Sequence, residues 1–308
     1  MNQKIISLGE ALLPSQFYPL ARQYLAWKKL RKDAKVISLI QAYYTNLEVD
    51  TEIAEVIDYL PRCGITMHPY KWGFLYYEDF TSKFDEIKVF HDKILNLPYV
   101  YLNEKRLYYP NTFSNKKIKC MFYVLQDVEQ HPLSPHRYLT EDFDVEVDDI
   151  VVDCGGAEGN FGLNIVDQVK KLYLFEPEEI WMEPLRATFA PWSNKVVIVQ
   201  KYLSDITDDM NISLDAYFKD KEYPTFLKLD VEGFEEKVLH GSDKMLALNY
   251  VRKVVTCTYH YADDEKKLGA LLRSHGFATK PSHGYMIGGL DKIRPPYLRR
   301  GVIRATKK

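Results

Sequence analysis

The stretch from Ile150 to Pro177 restricts the fold of this chain more than any other. An apolar run, Ile150-Val151-Val152, ends in Asp153 and breaks into small residues, Cys154-Gly155-Gly156-Ala157-Glu158-Gly159-Asn160. A second apolar run, Leu172-Tyr173-Leu174-Phe175, then ends in Glu176 and Pro177. Strand, tight turn, helix and strand in this order make the opening β-α-β unit of an open α/β sheet. In such units a carboxylate about 20 residues on receives two ribose hydroxyls. Glu176 lies 23 positions after Asp153. The glycines are expected to let the backbone approach a ligand that a Cβ would block.

The turn departs from the dinucleotide pattern G-x-G-x-x-G, because Ala157 stands where the second glycine belongs. It fits D-x-G-x-[G/A]-x-G, the turn used for S-adenosylmethionine. That ligand carries an ammonium that an acid such as Asp153 can hold. The candidate cofactor residues are Asp153, Gly155, Gly156, Glu158, Gly159 and Glu176. Small residues after a strand also occur simply to permit close packing.

Two more apolar runs end in polar residues: Phe226-Leu227-Lys228-Leu229-Asp230-Val231-Glu232-Gly233 and Val254-Val255-Thr256-Cys257-Thr258-Tyr259-His260. Ligands of open α/β sheets sit at the C-terminal ends of the strands. Between them, Ile212-Ser213-Leu214-Asp215 opens a short helix with Ser213 as its N-cap.

The set Phe175-Glu176-Pro177, Ile212 to Asp215, Lys228-Leu229-Asp230-Val231-Glu232-Gly233 and Tyr259-His260 resembles the FkbM-type methyltransferases. The resemblance runs roughly from Asp148 to Gly276, and its most specific part is Lys228 to Gly233. It implies a class I methyltransferase fold, an α/β doubly wound seven-stranded sheet. It further implies S-adenosylmethionine as methyl donor and O-methylation of a sugar or natural-product hydroxyl.

The bulk numbers set limits. The 308 residues suit one large or two modest domains, and the formal charge of −2 gives no general attraction to nucleic acid. No apolar core of signal-peptide length stands near Met1, and no run approaches the ~20 apolar residues of a membrane span. The four cysteines, Cys63, Cys120, Cys154 and Cys257, lie far apart without C-x-x-C pairing. This argues against a disulfide framework and for a cytoplasmic protein.

Helical spacing marks residues 14 to about 60. A shorter period follows to about Val124, with a hairpin around Asn103-Glu104-Lys105 and a further strand expected over Lys117 to Leu125. Residues 1–140 therefore read as an accessory region, helical and then β, and 141–308 as the methyltransferase domain. Phe277 to Lys280 and Gly301 to Ala305 read as the last strands.

Methyl transfer to a hydroxyl is an in-line displacement that demands positioning and a route for the proton. Asp230, Glu232 and His260 are the candidates for that work, with an oxygen-and-imidazole site for a divalent ion as an alternative. A plainer reading has both acids cap the following helix. Asp205, in the loop after the third strand, is a candidate adenine contact. The loop Glu129 to Tyr138 is rigid and polar, and His136 and Arg137 are its candidates for acceptor contact. The many tyrosines between residues 70 and 125 suit strands and offer faces for sugar stacking. Arg22, Lys28, Lys29, Arg31, Lys32 and Lys35 form a basic face, solvated or set against an anionic membrane surface. Arg294-Pro295-Pro296-Tyr297 lacks the amide or acid that the motif of amino-methylating DNA enzymes needs at its first position.

The reading is an S-adenosylmethionine-dependent O-methyltransferase acting on a saccharide or related small metabolite. It takes no nucleic acid, has no membrane span, and forms a homo-oligomer if the N-terminal region dimerises. The alternatives are a non-catalytic scaffold that kept the fold, and a nicotinamide oxidoreductase, which Ala157 disfavours.

Overall fold

The structure is a computed structural model, and it describes residues 33–64, 73–74, 81–288 and 294–307. The expected helix over residues 14–32 and most of the basic face lie outside the described residues. The chain divides into two compact units, Met1–Thr66 and Met67–Lys308. In the first, residues 33–44 are helical. A second helix, Thr51–Cys63, starts where Asp50 accepts a hydrogen bond from the Ile53 amide and ends at Gly64, whose φ is +76°.

The second unit is built on two sheets and short ladders. Strand β1 (Gly73–Phe74) precedes a three-stranded antiparallel sheet of β2 (Phe90–Asp92), β3 (Leu97–Leu102) and β4 (Lys105–Tyr108). The β3–β4 hairpin turns through Asn103 and Glu104, both at positive φ, as a tight two-residue turn requires. The strand expected over Lys117 to Leu125 is instead a helix, Asn115–Phe122, followed by a π-helical turn, Tyr123–Val128. Ser114 caps it by accepting from the Lys117 amide. Ile118, Met121 and Phe122, spaced three and four apart, face the core. Cap and helical spacing together override the β tendency of the aromatic residues.

The main sheet follows: β5 (Ile150–Cys154), β6 (Lys171–Phe175), β7 (Val196–Val199), β10 (Phe226–Leu229), β11 (Lys253–Cys257), β12 (Ala278–Pro281) and β15 (Val302–Thr306). Two small ladders lie outside it, β8 (Tyr202–Leu203) with β9 (Asn211–Ile212), and β13 (Met286–Ile287) with β1 and β14 (Leu298–Arg299). The spatial order is β7-β6-β5-β10-β11-β15-β12. The first five are mutually parallel, and β15 runs antiparallel to both its neighbours. Counting only these seven, the order is 3-2-1-4-5-7-6 with the seventh reversed. This is the class I methyltransferase fold, as the sequence implied.

Both faces of the sheet are covered, which is why its strands read as continuous apolar runs. Val151, Leu172, Leu174, Phe226 and Val255 point into one core layer, which Val100, Leu102 and Leu107 of the small sheet share. Ile150, Val152, Phe175, Leu227 and Val254 point into the other layer, with Val238, Leu239 and Leu268 of helices Glu235–His240 and Asp264–Ser274. No helix among the described residues is long and apolar enough to cross a membrane.

Candidate functional site

The order reversal of the sheet falls between β5 and β10, and the polar ends of β5, β6, β10 and β11 meet there. The Gly155 and Gly156 amides both donate to the Phe175 carbonyl at 3.0 Å, and the Asp230 amide donates to the Cys154 carbonyl at 3.1 Å. Gly155 has φ +82°, and a Cβ there would stand 1.9 Å from the Asp230 carbonyl oxygen. At Gly156 a Cβ would meet the Leu174 side chain at 2.2 Å. Gly159, φ +88°, is the residue before helix Asn160–Ile165 and leaves room for Phe189 and Leu185. Gly155 and Gly156 were expected to make room for a ligand. The close approach they serve is to the chain's own β10 end and its β6 neighbour.

Glu176 is 5 % exposed and ties the turn to the helix beyond it. Its Oε2 accepts from the Ala157 amide and its Oε1 from the Glu178 amide, each at 2.8 Å. Burial raises its carboxyl above the ordinary range, and these two bonds oppose that shift. Each carboxylate oxygen keeps a second lone pair, so Glu176 is still able to accept from a ribose diol.

Asp153 sits differently from what the turn pattern suggested. It is fully buried, and Lys228 Nζ stands 2.9 Å from its Oδ1 while also donating to the Gly155 carbonyl at 2.7 Å. The two residues are register partners across β5 and β10. Burial raises the Asp153 carboxyl, and Lys228 counters it. An internal ammonium thus stands at one oxygen of the acid, while Oδ2 has no hydrogen-bond partner among the described residues.

Glu158, 2 % exposed, has its carboxyl pushed up to about 8, mainly by burial. Asp205 is exposed; Ser204 Oγ donates to it at 2.9 Å and holds its carboxyl below the ordinary value.

Asp230 is the hub of the acceptor side. Tyr138 Oη donates to its Oδ2 at 2.6 Å. His136 Nε2 lies 3.6 Å from that same oxygen, and His260 Nε2 lies 3.7 Å from Oδ1. Each imidazole has a glutamate behind it: Glu129 Oε2 at 3.6 Å from His136 Nδ1, and Glu235 Oε1 at 3.0 Å from His260 Nδ1. Five groups thus form one line, Glu129–His136–Asp230–His260–Glu235. Burial would raise the Asp230 carboxyl, but Lys228, both histidines and Tyr138 hold it well below the carboxylate range. Burial pushes His136 down to about 4. Burial also disfavours charge on His260, yet Glu235, Asp230 and Glu232 outweigh it and lift it to about 9. Glu232, at φ +52°, reaches His260 Nε2 with its Oε2 at 3.7 Å.

The structure therefore brings together Asp230, Glu232, His260 and His136 of the expected residues. Arg137 enters through its main chain, whose carbonyl accepts from Arg304. Neither Asp230 nor Glu232 caps the following helix by a side-chain hydrogen bond, since its N-cap residue Phe234 has no side-chain cap. Glu235 Oε1 instead accepts from the Val231 and Gly233 amides before it. Sequence reasoning passed over Lys228, Tyr138, Glu129 and Glu235. Lys228 carried a signal: a lysine inside a strand buried on both faces must be paired.

No family model matches this chain, and no curated protein matches it. Among solved structures it is similar to an FkbM methyltransferase from Methylobacillus flagellatus KT, at 14% identity and TM-score 0.43, over 84% of this chain and 62% of that one. A precorrin-6y C5,15-methyltransferase from Geobacter metallireducens GS-15 is similar at 13% identity and TM-score 0.40, over 59% of this chain and 89% of that one. A tRNA m1G37 methyltransferase from M. jannaschii is similar at 15% identity and TM-score 0.37, over 69% of this chain and 55% of that one. The chain spans less than two thirds of the length of the FkbM methyltransferase.

Proposed function

We propose that this protein is an S-adenosylmethionine-dependent O-methyltransferase whose acceptor is a hydroxyl of a saccharide or related small metabolite. The observation that carries the reading is one sheet edge where Glu176, just past β6 and bonded to the glycine turn, and Asp230, just past β10 on the far side of that turn, are both fixed by hydrogen bonds. Glu176 would hold the ribose of the cofactor, and the turn from Gly155 to Gly159 would line it. Asp205 is the proposed adenine contact. The cofactor supplies an electrophilic methyl group when bound. Asp153, whose Oδ1 faces Lys228, would turn Oδ2 toward the cofactor's ammonium.

The chain's own residues would act on the acceptor. Asp230 Oδ1 would receive the acceptor hydroxyl as a hydrogen bond and aim its oxygen along the displacement line. Asp230 is a weak base, held as a carboxylate by its neighbours, so its part is orientation. As the O–CH3 bond forms and the sulfonium C–S bond breaks, the hydroxyl proton would pass along the hydrogen bond to Asp230 Oδ1 and on to solvent beside the exposed Glu232. His260, held by Glu235, would meanwhile place a positive charge beside the reacting oxygen. Arg137 and the aromatic β2–β4 region are proposed to shape acceptor choice. The saccharide class rests on the Lys228–Gly233 and Tyr259-His260 motifs. The reading places the enzyme in the cytosol, where the donor is made.

The test is calorimetric titration with S-adenosylhomocysteine of the wild type and of Glu176→Ala. Binding that weakens by roughly 1–3 kcal/mol in the variant is expected, the cost of removing charged hydrogen bonds. A folded wild type that does not bind would overturn the reading and leave a scaffold protein.

A further inference from the structure

His260 is fully buried, yet its Nε2 has no hydrogen-bond partner among the described residues, and neither does Asp230 Oδ1. Nε2 stands 3.7 Å from Asp230 Oδ1 and 3.7 Å from Glu232 Oε2, beyond hydrogen-bond reach of both. The far side of each group is fixed. His260 Nδ1 lies 3.0 Å from Glu235 Oε1, and that oxygen also accepts from the Val231 amide at 2.9 Å. Asp230 Oδ2 takes the Tyr138 hydroxyl at 2.6 Å, which leaves Oδ1 to face His260. A carboxylate behind one imidazole nitrogen, with the other nitrogen turned toward acids, is how metal-ligating histidines are oriented.

We propose that Asp230, Glu232 and His260 bind a divalent cation through two carboxylate oxygens and one imidazole nitrogen, with Glu235 orienting the histidine. Donors held at about 2.1 Å from an ion lie roughly 3.0–3.6 Å apart. The two 3.7 Å gaps to Nε2 therefore need to close by only a few tenths of an ångström, and Glu232 must also swing its carboxylate toward Asp230 Oδ1. The Glu232 side chain is 77% exposed, so it has the freedom to close and marks an entry path from solvent. An oxygen-rich set with one imidazole suits Mn2+ or Mg2+ better than a thiophilic ion.

Among the described residues, two clusters hold donor atoms within 4.8 Å of one another: Asp230, Glu235 and His260, where Glu235 stands behind the histidine at Nδ1, and His136, Asp230 and Cys257. In the second, His136 Nε2 already has Tyr259 Oη at 3.3 Å, and Asp230 Oδ2 has Tyr138. His136 and Cys257 are both buried, so no exposed ligand opens that cluster to solvent as Glu232 does at the first. The role of the ion rests on the methyltransferase reading: in binding it would displace the His260 Nε2 proton, take over the positive charge beside the acceptor, and as a Lewis acid lower the proton affinity of the acceptor hydroxyl. Its binding does not rest on that reading.

The test is titration of the chelator-treated full chain with Mn2+ alone, followed by electron paramagnetic resonance, with S-adenosylhomocysteine calorimetry on the same samples. One Mn2+ per chain is expected, displaced by Mg2+, weakened at least tenfold in Glu232→Gln and unaffected in the exposed control Glu236→Gln. Because Glu232 is exposed, its variant should fold, and circular dichroism would verify that. No Mn2+ binding at millimolar ion, or equal affinity in the wild type and Glu232→Gln, would overturn the proposal. A protein that binds S-adenosylhomocysteine but fails to bind Mn2+ would sink the ion site alone. Binding of Mn2+ without S-adenosylhomocysteine would support the ion site and count against methyl transfer.

Discussion

Lys228 and Asp153 face each other across β10 and β5, with Nζ 2.9 Å from Oδ1 and both side chains buried. The acid that opens the glycine turn is therefore answered from within the chain. Lys228 also donates to the Gly155 carbonyl, so the pair braces the turn against the neighbouring strand. Removing one member of a buried pair strands the other's charge, which costs about 3–5 kcal/mol. Lys228→Met should lose stability of that order in urea denaturation. The double variant with Asp153→Asn should regain a good part of it. Equal stability of the single and double variants would show that the pair is not coupled.

Gly155 offers a second test of how the turn is built. Gly155→Ala would place a methyl 1.9 Å from the Asp230 carbonyl oxygen at φ +82°. Left-handed strain and overpacking each cost about 1–3 kcal/mol, so the sum should approach a large fraction of the fold's stability. Gly284 has a similar φ, +78°, but only ordinary contacts from 3.7 Å outward. Gly284→Ala should show the strain alone. Thermal melting of the two variants separates the two effects, and equal shifts would refute the clash at Gly155.

Much of this architecture was legible because parallel strands buried on both faces leave continuous apolar runs, as β5, β6, β10 and β11 do. The acids at their ends, Glu176 and Asp230, stood out for the same reason. The stretch from Lys117 to Leu125 misled because its aromatic and branched residues favour strands, while the cap at Ser114 decides for helix. The partners of Asp230 were less visible. Tyr138 lies 92 positions away and meets Asp230 only once the sheet forms. Glu129 was just one polar residue in a proline-bounded loop, and nothing local shows that it backs His136.

Glu158 should make stability fall as pH rises from about 4.5 to about 8. Its carboxyl is raised from an ordinary 4.5 to about 8, mainly by burial. The folded state therefore keeps a proton that the unfolded chain has lost above about 4.5. The associated stability is complete below the unfolded value and is lost as pH rises through about 8. The loss amounts to a few kcal/mol at most, because each tenfold change in proton affinity is worth about 1.4 kcal/mol. Glu158→Gln, which cannot ionise, should flatten the profile between pH 5 and about 9 in urea titrations. A variant with the wild-type slope would show that Glu158 ionises freely in the fold.

Tyr138→Phe isolates the shortest contact to Asp230. The substitution keeps the ring against Phe161 and His136 and removes only the hydroxyl that donates at 2.6 Å. A hydrogen bond to a charged group contributes about 1.5–3 kcal/mol, so denaturation should register a loss of that size. Glu176 lies on the other side of the glycine turn, so S-adenosylhomocysteine affinity should stay within about twofold. With Oδ2 released, Asp230 is free to rotate, and the oxygen that would face the acceptor is no longer fixed. With a working acceptor, kcat should therefore fall while the KM for the methyl donor holds. If the cofactor's affinity fell instead, Tyr138 would belong to the donor side, and Asp230 would be a cofactor ligand before it was an acceptor one.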